Sequence, residues 1–255
     1  MKYALQKPQT LFIGQHCIGL ETCESTSSYL AQLPASEVWE GSCAMAHEQT
    51  KGRGQLNNSW ESEPYQNLTF SCLLKPKFLL AREGHFLTMT VALGITDALK
   101  AMGIHTAQIK WPNDLMLQGR KLAGLLIESR LHGENIDSAI VGIGLNINQQ
   151  SFLTPNAISL LQYTGLHYEV SAVFVSVVEH LEKRYFQLKN RSFEQLSQDY
   201  HAQMFGLNQC RNFRDLQTEE AFEAYVEGVH KEGGLLLRDM NGLSRRYFSK
   251  EVLWL

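Results

Sequence analysis

The stretch Lys110–Glu128, KWPNDLMLQGRKLAGLLIE, governs how the rest of this chain is read. It sets Lys110, Asn113, Asp114, Arg120, Lys121 and Glu128 among strongly apolar segments. The pattern predicts a strand running into Trp111, a Pro112-Asn113-Asp114 turn and a short strand Leu115-Met116-Leu117. A Gln118-Gly119 turn and a last strand from Leu122 to Ile127 complete it. Charges at the margins of buried strands cost free energy unless they meet a partner or a ligand. Two lysines and an aspartate around one hairpin therefore point to an anionic ligand. Glu128 is left to cap or pair at the strand's end.

On the C-terminal side, Ser138–Asn148 alternates. Ala139, Val141, Ile143, Leu145 and Ile147 point one way; Ile140, Gly142, Gly144, Asn146 and Asn148 point the other. A strand face of two glycines and two asparagines has little to pack, so a ligand or another element of the fold approaches its backbone, or the glycines mark an edge or bulge. On the N-terminal side, Leu79–Met102 carries apolar residues around most of a helical circumference and reads as the central buried helix, closed by Gly103. Before it, Asn67–Leu73 alternates as a half-buried strand and Ser42–Glu48 as another. The latter leads into Gln49-Thr50-Lys51-Gly52-Arg53-Gly54-Gln55. There, two glycines permit close backbone approach and Arg53 offers a fork of donors for carboxylate or phosphate. Glu21–Leu33 reads as a helix starting among Thr22, Ser25 and Thr26. Its Ser25-Thr26-Ser27 is either an ordinary helix start or a hydroxyl cluster for a polar ligand. Leu11-Phe12-Ile13 reads as an opening strand. No stretch fits the P-loop pattern, and VGIGLN lacks the third glycine of a dinucleotide fingerprint.

Beyond Asn148 the pattern predicts a loop with a short amphipathic piece at Ile158–Tyr163. Helices come next over Val170–Leu188 and Ser192–Phe205, the second with a Ser192/Gln195 capping box and a closing Gly206. From Leu207 the chain changes to short strands, Phe222–Val229, Gly234–Arg238 and Ser244–Phe248, split by Glu232-Gly233-Gly234 and by the hairpin signal Asn241-Gly242. A small C-terminal β-barrel is expected.

The totals bound the class. A chain of 255 residues with 44% hydrophobic and 19% charged side chains holds one large domain, alone or with a small appendage, and is not globally disordered. Its net charge of -3 argues against a protein that coats nucleic acid. Five scattered cysteines without a CxxC spacing support neither a disulfide framework nor a zinc ribbon. The N-terminus has no signal-peptide run, and no segment reaches membrane-span length without polar interruption. A cytoplasmic location is expected, with no membrane and no nucleic-acid partner.

Three separated motifs carry a family resemblance: Ser25-Thr26-Ser27; Gly52-Arg53-Gly54 followed by Trp60; and Lys110-Trp111-Pro112-Asn113-Asp114 with Gly119-Arg120-Lys121-Leu122-Ala123-Gly124. In that order and separation they resemble a biotin protein ligase, over nearly the whole chain. The resemblance implies an α+β fold: a mixed, largely antiparallel sheet packed with helices, like a class II synthetase, over 1–205, and an SH3-like β-barrel over 206–255. It implies an ATP-dependent enzyme that makes biotinyl-adenylate and transfers biotin to a lysine of a carboxylase carrier domain, with Mg²⁺. By resemblance, Ser25, Thr26, Ser27 and Gln49 bond the ureido ring. Gly52, Arg53 and Gly54 form the loop that closes over biotin and the adenylate phosphate, and Gln55 and Trp60 join them in binding biotin or the adenylate. Lys121 meets the biotin carboxylate and the phosphate, while Lys110, with Asn113 nearby, faces the phosphates of ATP. Asp114 is the candidate Mg²⁺ ligand. Arg53, Lys110, Asp114 and Lys121 form the catalytic set. Gly124, Leu126, Gly142 and Gly144 wall the pocket, and Asn146 begins the adenine-side loop. Glu251 matches a C-terminal glutamate without a role.

Many relatives carry asparagine at the position of Ser27, and arginine and glycine where this chain runs Gln55-Leu56-Asn57-Asn58. With fewer charges on that loop, adenylate is expected to leak faster than from a Gln55→Arg variant, as a free-adenylate release assay would show. Competing readings are a lipoate or octanoate ligase or transferase, and a non-catalytic biotin-binding regulator. About 20 residues precede the Glu21 helix, fewer than a helix-turn-helix module takes, so a monofunctional protein is expected, monomer or homodimer.

Overall fold

A computed structural model describes residues 7–55 and 58–255; Leu56 and Asn57 of the departing loop lie outside the described residues. The larger layer is a seven-stranded sheet in the order β1-β2-β3-β7-β6-β5-β4. Its strands are β1 (Cys17–Cys23), β2 (Cys43–Gln49), β3 (Leu68–Leu74), β4 (Gln108–Lys110), β5 (Asp114–Leu117), β6 (Arg120–His132) and β7 (Asn135–Leu145). β1 and β2 run parallel, and every other pair in the sheet is antiparallel. The α+β expectation holds: one mixed sheet packed with helices, followed by a second sheet.

Helices α2 (Gly84–Ala101) and α4 (Val170–Lys189) pack on each other, so closely that a Cβ on Gly94 would stand 2.8 Å from Leu181 Cα. They cover the sheet face that carries Phe70, Val141 and Ile143, where Phe70 meets Phe174 edge-on at 5.1 Å. Helix α1 (Thr26–Gln32) lies over β2, β3 and β7. β3 is therefore buried on both sides, not half-buried as its alternation predicts. Its polar residues are satisfied internally, Thr69 Oγ1 donating to Ala46 O at 2.8 Å.

Several boundaries move. Glu21–Cys23 completes β1, so only Thr26–Gln32 is helical, and Ser25 holds the N-cap with an extended backbone and no side-chain cap bond. Leu79–Leu80 precede a short 3-10 turn at Ala81–Glu83 instead of opening α2. β7 starts three residues early and ends before Asn146. The Ser192/Gln195 box is not made: Gln195 Nε2 donates to Asp199 Oδ1 at 2.7 Å, and α5 (Phe193–Ala202) stops before Phe205. A genuine box opens α3 (Leu160–Thr164), between Ser159 and Gln162.

Leu11–Ile13 form no strand. The carboxylate of Glu182, buried on α4, accepts from the backbone N–H groups of Leu11 at 2.7 Å, Phe12 at 2.9 Å and Ile13 at 3.0 Å. A charged acceptor thus takes the donors that a sheet neighbour would have used. Glu182→Ala leaves those donors unpaired and is expected to cost about 3 kcal/mol of stability. A thermal denaturation midpoint unchanged from the parent would refute this.

The second layer is a five-stranded antiparallel sheet in the order β11-β10-β9-β8-β12, from β8 (Cys210–Asp215), β9 (Ala221–Val229), β10 (Leu235–Asp239), β11 (Ser244–Tyr247) and β12 (Val252–Trp254). The Asn241-Gly242 turn joins β10 to β11 as its dipeptide predicts, Gly242 at φ 86°. β8 and β12 went unread because β8 is mostly polar, with only Phe213 buried, and β12 is only three residues long. All five cysteines are free thiols. Among the described residues, no helix is long and apolar enough to cross a membrane.

Candidate active site

Strand register builds the site floor. Lys110 pairs with Asp114, Asp114 with Gly124, Gly124 with Gly144, and Gly144 with Thr69, giving one row across β4, β5, β6, β7 and β3. Residues in register share a face, so this row runs from charge at the sheet edge, through bare backbone, to a hydroxyl. The adjacent row, Leu126–Gly142–Ser71, carries the same face further. Above it, Thr26 Oγ1 and Ser27 Oγ lie 2.7 and 2.9 Å from Ser71 Oγ, and Gln49 Oε1 accepts from the Thr26 N–H at 2.8 Å. The three hydroxyls are buried, which makes Ser25-Thr26-Ser27 a polar cluster facing the sheet and not a solvent-side helix start.

The bare faces of Gly142 and Gly144 belong to neighbouring side chains. A Cβ on Gly142 would meet Ser27 Oγ at 2.8 Å; one on Gly144 would stand 2.3 Å from the Trp60 ring. Trp60 thus lies across the cross-strand pair Gly124–Gly144, its Nε1 buried without a hydrogen-bond partner among the described residues. Its backbone N–H donates to Gly52 O at 3.0 Å, and Gly54 N–H donates to Asn58 O at 2.7 Å, tying these ends of the loop together. Arg53 reaches along β6, where Nη1 and Nη2 grip Glu128 at 3.0 and 2.5 Å. Glu128, without a role in the sequence reading, is therefore the loop's anchor.

Of the catalytic set, Lys121 Nζ forms an ion pair with Asp114 Oδ1 at 2.7 Å, half-shielded from solvent. The Lys121 backbone is held by Asn156 O and Ile158 N–H. Asn146 sits behind it, bonding Ile158 O at 3.2 Å, and it does not line the cavity; nor does Gly52, which lies under the Trp60 carbonyl. Asn113 exchanges hydrogen bonds with Leu125, Nδ2 to O at 2.8 Å, and so fixes the hairpin turn. The remaining residues of the sequence-derived set converge on one cavity of about 230 Å³.

The sequence reading missed the lid of that cavity. Leu216, Ser249, Lys250, Val252, Leu253 and Trp254 reach it from the second sheet. Trp254 stands with its ring 5.4 Å from Lys110 Nζ, a cation–π contact, and Trp111 Nε1 donates to Gly233 O at 3.0 Å. These residues carry no local signal, because their placement depends on how one sheet docks on the other.

Burial depresses the Lys110 pKa below the ordinary lysine value; Asp114 counteracts this and Lys121 adds to it. Folding therefore disfavours the ammonium, a penalty fully present below the folded pKa and relieved as pH rises towards the unfolded value. Lys110→Met should thus stabilise the fold at neutral pH, with the gain shrinking in alkaline buffer. Urea midpoints measured across that range would show a pH-independent difference if the idea were wrong.

The described residues hold no cluster of three or more His, Cys, Asp or Glu side chains able to bind a metal by themselves. Asp114 is the single carboxylate among the described residues lining the cavity. That donor set suits Mg²⁺, which is commonly bound by one or two carboxylates together with substrate phosphates.

Comparison with known proteins gives a consistent picture. The profile of the Biotin/lipoate A/B protein ligase family matches residues 19–146. The bifunctional ligase/repressor BirA of Bacillus subtilis is 30% identical over 245 residues, covering 94% of this chain and 74% of that protein. The biotin–[acetyl-CoA-carboxylase] ligase of Mycobacterium tuberculosis is 26% identical over 186 residues, 71% of this chain and 68% of its own. Among solved structures, the Aquifex aeolicus biotin protein ligase in complex with biotin and ATP superposes with a TM-score of 0.80 at 27% identity, covering 94% of this chain and 99% of that one.

Proposed function

We propose that this chain, which belongs to the Biotin/lipoate A/B protein ligase family, is an ATP-dependent ligase that activates biotin as biotinyl-5'-AMP and transfers it to a carrier lysine. The observation that carries the reading is the graded floor: buried hydroxyls at one end, bare glycine backbone in the middle, and Lys110, Asp114 and Lys121 at the other. A molecule with a polar ring, an aliphatic arm and a terminal carboxylate matches that order.

In the first step a carboxylate oxygen of biotin attacks the α-phosphorus of ATP, and the bond to the bridging oxygen breaks to release pyrophosphate. Two anions must be held together, and Lys121 and Lys110 offset their repulsion and the charge of the transition state. In the second step the carrier lysine, as free amine, attacks the acyl carbon. An amide forms, AMP leaves, and one proton is lost to solvent. No serine or cysteine nucleophile is needed. Asp114 would hold Mg²⁺, which supplies charge neutralisation at the polyphosphate.

The Thr26–Ser27–Ser71 cluster and Gln49 bond the ureido ring in this reading, with Ser25 beside them. Gly124, Leu126, Gly142 and Gly144 form the wall, and the Arg53 loop with Trp60 closes the cavity. Residues 1–205 then act as the catalytic part and 206–255 as its β appendage. The partner is a carboxylase carrier domain. Incubation with ATP, Mg²⁺, labelled biotin and a carrier domain should give lysine-linked label. Biotin binding without ATP-dependent transfer would instead favour a sensor, and label from lipoate alone a lipoate ligase.

A further inference from the structure

Five charged side chains line the cavity among the described residues: Arg53, Lys110, Asp114, Lys121 and Lys250. Two of the four cations are engaged by carboxylates, Arg53 by Glu128 and Lys121 by Asp114, and Lys110 is packed on the Trp254 ring. Lys250 has no ion pair among the described residues. It sits in the turn between β11 and β12, exposed, with a backbone φ of 78° that glycine would take without steric cost. Glu251 shapes this turn, its carboxylate accepting from Phe248 N–H at 2.7 Å and its backbone carbonyl from Leu216 N–H at 2.9 Å. Lys250 and Ser249 also line the outer groove beside Arg53, Gly54 and Gln55, so Lys250 spans the cavity mouth and the path out of it.

We infer that Lys250 is a polyphosphate-binding residue, supplying from the second sheet the cation that meets the β- and γ-phosphates of ATP and the departing pyrophosphate. The inference rests on the ATP-dependent reading above. Biotin's carboxylate and the α-phosphate meet at Lys121 on β6, so the rest of the triphosphate must extend away from the biotin end, and Lys250 lines both the cavity and the groove that leads out of it. There, Lys250 is the lining cation among the described residues not already held by a carboxylate or packed on a ring. It also stands beside Gln55, where the loop itself offers a neutral amide.

The test uses the full chain and its Lys250→Gly and Lys250→Arg variants in biotin-dependent ATP–pyrophosphate exchange. Glycine removes the charge while keeping the turn's backbone, so its melting temperature should equal or exceed the parent's. Lys250→Gly should raise the KM for ATP and the inhibition constant of pyrophosphate about tenfold, the effect of one lost charge-assisted contact. The KM for biotin and inhibition by AMP, which lacks the outer phosphates, should not move, and Lys250→Arg should restore ATP binding. Parental ATP and pyrophosphate constants in Lys250→Gly overturn the inference, as does a change confined to the carrier's KM. Absence of exchange in the unaltered chain overturns the ligase reading itself, and the inference with it.

Discussion

Lys121→Ala is expected to lower biotin-dependent ATP–pyrophosphate exchange by about 10³-fold, the upper range for loss of one preorganised charge donor. The ammonium stands 2.7 Å from Asp114 at the end of the glycine floor, where the two reacting anions must meet. Removing it has a double consequence. The transition-state charge loses a cation, and Asp114 loses its ion-pair partner and repels both substrates. Lys121→Met/Asp114→Asn separates these effects, because the pair is deleted together. Because Asp114 would also hold Mg²⁺, the comparison is made on biotin binding without ATP or metal, where the double variant should bind biotin more tightly than Lys121→Ala if the stranded carboxylate matters. Exchange by Lys121→Ala within tenfold of the parent would remove Lys121 from the chemistry.

Gly144→Ala should weaken biotin binding by about 10²-fold, the upper end of the ~1–3 kcal/mol that overpacking costs. The added methyl would stand 2.3 Å from the Trp60 ring, closer than carbon atoms approach. The backbone at Trp60 is held by Gly52, so the indole must swing off the floor or take the loop with it. Gly84→Ala, whose Cβ would be 3.5 Å from Ile136, provides the control for a methyl the structure accepts. Calorimetry with biotin and the shift in tryptophan emission report the two consequences separately. Parental biotin affinity in Gly144→Ala would show that the ring's position is immaterial.

The hairpin from Lys110 to Glu128 was legible because its turns, alternation and charges all agree, and the structure reproduces it with a longer last strand. The unpacked glycine face was legible as a place of close approach, but not what approaches it, since Trp60 and Ser27 arrive from distant segments. Propensity misled at Leu11–Ile13, where an apolar triplet is claimed by the Glu182 carboxylate instead of a sheet. It misled again at Glu21–Cys23, drawn into β1 by pairing with Glu48 and Gln49 through Thr22 and Cys23. The pairing of Arg53 with Glu128 spans 75 residues, a separation no local pattern encodes. The lid is harder still: Ser249, Lys250 and Trp254 acquire meaning only through docking of the second sheet.

That docking is sealed at the hairpin itself. Trp111, buried and donating to Gly233 O, belongs to the turn that presents Asp114, while Lys110 beside it leans on Trp254. Excising the second sheet would therefore not yield a smaller working enzyme. It would strip the cover from an indole at the centre of the site, orphan its N–H and let water reach Lys110. Most of the reacting groups precede residue 206, yet their order is borrowed from the strands beyond it, so the two sheets are expected to lose activity as one unit when heated.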